Sequence, residues 1–124
     1  MDEALSKDYP VHLLEKKRLG FDHQELGALL FERWGLEGSL ISAVRHHHSP
    51  SSTNPDHLLQ TQILHLADWI CNHQCYGLAV DGIHTPFQES AWNHLNLSVN
   101  SIQDILEKTR KAANQSALFL SFIN

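Results

Sequence analysis

Residues 58–70 read LLQTQILHLADWI, and this stretch constrains the fold more than any other. Leu58, Leu59, Ile63, Leu64, Leu66, Ala67, Trp69 and Ile70 are spaced so that a helix built from them keeps almost no polar side. A helix apolar nearly all round must be covered by other elements, so this one is expected at the centre of the molecule. Asn54 is a good cap in front of it, and Pro55 suits the first helical position, where a missing N–H costs nothing. The helix is expected to continue to about Tyr76.

The covering elements read as helices too. No segment alternates apolar and polar residues for long, and no Asn-Gly or Asp-Gly turn joins two such segments. The stretch 80–84 comes nearest and reads as a loop. A first helix follows Pro10 from about Val11 to Leu19, carries Leu13, Leu14 and Leu19, and stops at Gly20. Asp22 caps a second helix, and Glu25 three residues later completes a capping box. Leu26, Leu29, Leu30 and Trp34 recur along it at helical spacing until Gly35. A third helix runs from about Ser39 through Leu40, Ile41 and Val44 into His46, His47 and His48, and a loop begins at Pro50.

Further on, a short helix is expected near Glu89 to Leu95. Ser98 or Asn100 caps a last one, with Ile102, Ile105, Leu106, Ala113 and Ala117 on a single stripe. Its end, ALFLSFIN, is expected to fold back on the domain's own core. The other reading is that it covers a partner subunit or a missing portion of the same polypeptide. No repeat, low-complexity tract or composition shift divides the 124 residues. The fold class is all-α, a compact orthogonal bundle of about five to six helices in one domain spanning 1–124.

Composition narrows the function. With 42% hydrophobic and 19% charged residues the chain suits a soluble globular domain. No apolar run approaches the roughly 18–20 residues that cross a bilayer, and the first ten residues lack the apolar core of a signal peptide, so a cytoplasmic location and no membrane partner are expected. A net charge of -5 argues against nucleic acid as the partner. The basic run Lys16-Lys17-Arg18 reads as a solvated helix face. Cys71 and Cys75 have no second ligand pair beside them and read as buried free thiols.

Asp68 stands out within the apolar helix, between Ala67 and Trp69. A buried carboxylate needs a donor, a cation or a metal. Histidines of other helices are the candidates: His23 at the start of the second, and His46 to His48 at the end of the third. Two outcomes fit these residues, a divalent cation with mixed N/O ligands and a metal-free Asp–His hydrogen bond. His12, His57, His73, His84 and His94 lack companions in the sequence and read as surface or rim residues.

Taken together, LGFDHQELGALLFERWGLEGSLISAVRHHHSP and the later ILHLAD resemble the C-terminal half of an HDOD domain, a branch of the HD superfamily of metal-dependent phosphohydrolases related to the HD-GYP phosphodiesterases. The resemblance spans residues 15–107. Its pieces are Glu15, the turn Gly20-Phe21-Asp22-His23, Gly27-Ala28-Leu29-Leu30, Trp34-Gly35-Leu36, the segment from Ala43 to His48, and Ala67-Asp68. It implies a bacterial, HD-like helical domain in which His23, His47, His48 and Asp68 correspond to metal ligands and His46 to a variable position. In active relatives an upstream His-Asp doublet completes that centre. The dipeptide His-Asp occurs nowhere here, Asp22-His23 has the reverse order, and the Gly-Tyr-Pro signature is absent.

The leading expectation is therefore a non-catalytic regulatory, signalling or protein-interaction module that requires no cofactor. A divalent metal on the remnant ligands is the optional addition. Its partner is a protein, the missing N-terminal half of the domain, or a second copy in a homodimer. Two alternatives share the same residues. One is a metal-dependent phosphohydrolase acting on a nucleotide or cyclic dinucleotide. The other is a domain that senses a ligand or metal without turnover.

Overall fold

A computed structural model describes residues 9–73 and 88–123, with the Trp92 side chain excepted. Six α-helices appear among these residues, and no strand. They are α1 (Val11–Leu19), α2 (His23–Arg33), α3 (Gly38–His46), α4 (Leu58–His73), α5 (Glu89–Leu95) and α6 (Val99–Ser121). Short 3-10 turns over Pro50–Ser52 and Pro55–His57 occupy most of the segment read as a loop. The second of these takes Asn54 as its cap, so Pro55 opens a 3-10 turn that leads into α4. Cys75, His84, the stretch 80–84 and the extension of α4 to Tyr76 lie outside the described residues. None of the described helices is long and apolar enough to cross a membrane.

Local chemistry sets the helix ends. Gly20 closes α1 in the left-handed region at φ 84°, where a side chain is disfavoured, and donates its N–H to Lys16 O. Two residues later the Asp22 carboxylate accepts from the Glu25 N–H at 2.9 Å, while the Glu25 carboxylate accepts from the Asp22 N–H at 3.2 Å. This is the capping box expected from the sequence. Ser98 caps α6 by accepting from the Ser101 N–H. Lys16 of the basic run pairs with Glu25 across the α1–α2 turn.

Small residues bring α2 onto α3. Ala28 and Ala43 are buried, and a Cβ placed on Gly27 would lie 2.9 Å from Val44 Cγ1. Because the two helices meet through this small-residue face, Leu26, Leu29, Leu30 and Trp34 of α2 point outward and are exposed, contrary to the stripe read from the sequence. In α1, Leu14 is buried while Leu13 and Leu19 are exposed.

α4 lies between α3 and α5, as expected of a central element. Its Leu66 and Ile70 form a core with Ile102 of α6, joined by Trp69, Leu95, Leu97, Ile105 and Leu106. Full enclosure of α4 does not occur. Thr61, Gln62 and His65 are buried, whereas Leu59 and Ile63 are more than half exposed and Ala67 is exposed. The last turns of α6 also depart from expectation. Leu118, Phe119, Leu120, Phe122 and Ile123 are 59–80% exposed, because only the first half of α6 reaches the core. Cys71, read as a buried thiol, is exposed on the outer side of α4.

Candidate metal centre

The α2–α3 contact carries the start of one helix against the end of the other, and three histidines meet there. His23 is the first residue of α2, His47 caps α3 and His48 follows it. The side chains of His23, His47 and His48 each offer a ring nitrogen within 4.8 Å of the other two. Nε2 of His23 stands 2.8 Å from Nε2 of His48 and 3.4 Å from Nε2 of His47. Ligands around a tetrahedral ion at about 2.0–2.1 Å lie roughly 3.3 Å apart, so the second spacing already suits an ion. The first is shorter and suits an N–H···N hydrogen bond.

The opposite ring nitrogens define the proton positions. His23 Nδ1–H donates to Glu15 Oε2 at 2.6 Å, and the His23 backbone N–H donates to the same oxygen at 3.0 Å. His47 Nδ1–H donates to the Val44 carbonyl at 2.7 Å. Both rings therefore turn an Nε2 lone pair toward the centre. His48 must then hold its proton on Nε2 to bridge to His23, which leaves Nδ1 3.9 Å from Asp68 Oδ2. If that proton moves to Nδ1, three Nε2 lone pairs converge and each Nδ1–H has an oxygen before it. This pattern of outer acceptors fixes the tautomer of histidines that bind metals.

Burial keeps the rings of His47 and His48 in the neutral form. Desolvation pushes His47 below the ordinary histidine range, partly offset by the Val44 carbonyl. His48, 8% exposed, is pushed down to about 2 by desolvation and then by the neighbouring His47, His12 and His23. Neutral imidazole is the ligand form, so His47 and His48 fit a divalent ion without first shedding a bound proton.

Supporting contacts set the histidine segment in place. Buried Gln24 donates to Asp22 Oδ2 at 3.2 Å and accepts the His48 backbone N–H at 3.1 Å. Burial raises the Asp22 pKa, but hydrogen bonds from the Glu25 N–H and from Gln24 outweigh it and hold the carboxyl below its usual range. From α4, His65 Nδ1–H donates to the His47 carbonyl at 2.6 Å, and its Nε2 accepts the Gln88 N–H at 3.0 Å. His65 is 1% exposed.

Of the four residues singled out in the sequence, His23, His47 and His48 are brought together. Asp68 stands behind them, its side chain 31% exposed and directed at Nδ1 of His48. It is therefore neither fully buried nor grouped with the three ring nitrogens. His46 sits at the end of α3, half-buried. His12, read as a rim residue, stacks on His48 with ring centroids 4.4 Å apart, and its Nδ1 is buried without a hydrogen-bond partner. His73 stacks on Trp69. Sequence reasoning passed over Gln24 and His65. For His65 a signal was present, a histidine set between Leu64 and Leu66 in the most apolar helix. For His12 it was the i, i+3 spacing to Glu15, which puts both on one face of α1.

Residues 1–50 match the family model of the HDOD domain. The matched segment contains Glu15, Asp22, His23, Gln24, His47 and His48, and ends before Asp68. No curated protein and no solved structure matches the chain at a significant level.

Proposed function

We propose that this chain is a non-catalytic regulatory or signalling module of the HDOD type, working in the cytoplasm through a protein partner, whose three-histidine centre holds one divalent transition-metal ion. The observation that carries the metal assignment is the convergence of the Nε2 atoms of His23, His47 and His48, with Glu15, Val44 O and Asp68 standing before the three Nδ1 atoms. An all-imidazole donor set suits zinc, copper, iron or nickel better than magnesium or calcium. When bound, such an ion supplies a fixed positive charge and a cross-link between the α2 start and the α3 end.

The chain's own residues do the rest. Glu15 and the Val44 carbonyl orient His23 and His47. His48 moves its proton from Nε2 to Nδ1, which faces the Asp68 carboxylate at 3.9 Å. His65 and Gln24 hold the backbone of the pair His47-His48 at the correct height. The phosphohydrolase alternative asks Asp68 and further residues to join the ion directly. It draws less support, because Asp68 faces the outer nitrogen of His48 and the chain has no His-Asp doublet.

The test is elemental analysis of protein purified without a metal-affinity step, followed by cobalt titration of the chelated protein. About one equivalent per chain is expected, lost in His23→Ala, with hydrolysis of cyclic dinucleotides at background. Absence of any bound metal in the wild type removes the metal centre. A hydrolytic activity that disappears in a folded Asp68→Asn variant removes the non-catalytic reading.

A further inference from the structure

Helix α1 has little apolar surface with which to hold the body of the protein. Leu14 is its only buried residue, while Leu13, Leu19 and the basic run Lys16-Lys17-Arg18 lie exposed. The ion pair from Lys16 to Glu25 is open to water on both sides and adds little. Two other contacts reach the histidine centre. Glu15 Oε2 accepts from the backbone N–H and from Nδ1–H of His23. The His12 ring lies on the His48 ring, with centroids 4.4 Å apart and planes within 15° of parallel. The i, i+3 spacing of His12 and Glu15 puts them on one face of α1, so one docked helix delivers both supports. They act on the two ligand candidates whose Nε2 atoms stand only 2.8 Å apart.

The docked position of α1 is finely balanced. His12 Nδ1 is withdrawn from water there without a hydrogen-bond partner, so docking forfeits its hydration and returns no bond. Gly20, left-handed and with open space around it, joins α1 to α2 and gives the helix a place to hinge. Once undocked, a helix of nine residues is too short to persist in water, so release exposes its amides. Undocking also removes both supports together: His23 Nδ1–H loses its acceptor, and His48 loses the wall that fixes its ring plane. A carboxylate behind a ligating histidine contributes about 10–100-fold to metal affinity, and a stacked ring pair about 2- to 10-fold. Linkage is reciprocal, so whatever factor docked α1 adds to metal affinity, bound metal adds to the docking of α1.

We propose that α1 is the metal-responsive element of this chain: an ion on His23, His47 and His48 tightens its docking through Glu15 and His12, and loss of the ion loosens it. His12 is a positioning residue that acts on His48 through its ring face, since its buried Nδ1 bonds to nothing. The proposal rests on the metal reading above and supplies the structural output that a regulatory module needs.

Amide hydrogen exchange of the full chain, chelated and then with one equivalent of zinc, is the test. Zinc should slow the amides of residues 13–19 by at least about 10-fold, while the exposed last turns of α6 exchange as before. His12→Ala should weaken zinc binding about 2- to 10-fold and reduce the zinc-dependent protection of α1 by the same factor. His12→Phe keeps the stacked ring and should restore both; because Nδ1 has no partner, that substitution strands no group. Zinc bound by the wild type with α1 exchange unchanged overturns the proposal and leaves the metal centre standing. A His12→Ala variant that binds zinc as tightly as the wild type overturns it as well, and so does a His12→Phe variant that fails to recover. A wild type that binds no zinc removes the metal centre and the proposal together.

Discussion

Lowering the pH from 7 to 5 in the presence of a chelator should destabilise the protein by at least about 2 kcal/mol. The magnitude follows from His48. Its folded pKa is pushed down to about 2, while an unfolded histidine titrates near 6.5. The folded form therefore stays neutral across the window, and the unfolded chain takes up a proton below pH 6.5. Stability is complete above that value and falls as pH drops through it. At pH 5 the unfolded state gains RT ln(1 + 10^1.5), about 2 kcal/mol, and at pH 7 only about 0.2 kcal/mol. His47, His12 and His46 are also held below the ordinary range by desolvation, so they add in the same direction. Asp22 does not offset this, because its carboxyl is lowered and loses its contribution only below the ordinary carboxylate range. The assay is urea unfolding followed by circular dichroism at pH 7, 6 and 5. His48→Gln should flatten the profile by close to one proton. A wild-type midpoint that stays constant from pH 7 to 5 would refute the reasoning, since it requires His48 to be charged or solvated in the folded state.

Three further outcomes follow from the same contacts. Asp68→Asn and Glu15→Gln should each weaken cobalt or zinc binding by about 10–100-fold while leaving the ligand set whole, as read by competition with a chromophoric chelator; unchanged affinity in both would remove the outer carboxylates from the centre. His65→Leu should cost about 1–3 kcal/mol in chemical denaturation, because it strands the buried His47 carbonyl and removes the acceptor of the half-buried Gln88 N–H. Asp22→Ala should cost about 1 kcal/mol through loss of the capping box, measured at neutral pH, and should weaken metal binding as the Gln24 link to His48 loosens.

Most helix boundaries were legible in the residues because local chemistry sets them. Gly20 ends α1 by its left-handed conformation, Asp22 and Glu25 start α2 by their mutual hydrogen bonds, and Ser98 starts α6 through its own hydroxyl. None of these needs a distant partner. The placement of His23, His47 and His48 was half legible: a resemblance between patterns paired them, but their spacing of 24 and 25 residues cannot say whether two helix ends meet. That meeting depends on Gly27, Ala28 and Ala43, whose lack of bulk lets α2 and α3 approach closely.

Burial was the least legible property. The periodicity of Leu26, Leu29, Leu30 and Trp34 marks an apolar helix face, yet nothing in the described residues covers it. α4 carries enough leucine and isoleucine to be enclosed, but its enclosure depends on how many neighbours the tertiary arrangement supplies. Here α3, α5 and the start of α6 cover one side and leave Leu59 and Ile63 open. The role of Asp68 turns on the same difference. Its sequence neighbours announce a buried carboxylate, whereas its position on α4 leaves it partly in water and behind His48. The sequence by itself determined where helices start and stop, since capping and backbone conformation act within a few residues. Only the tertiary structure decided which faces meet, because that depends on side-chain volumes at crossings between distant segments.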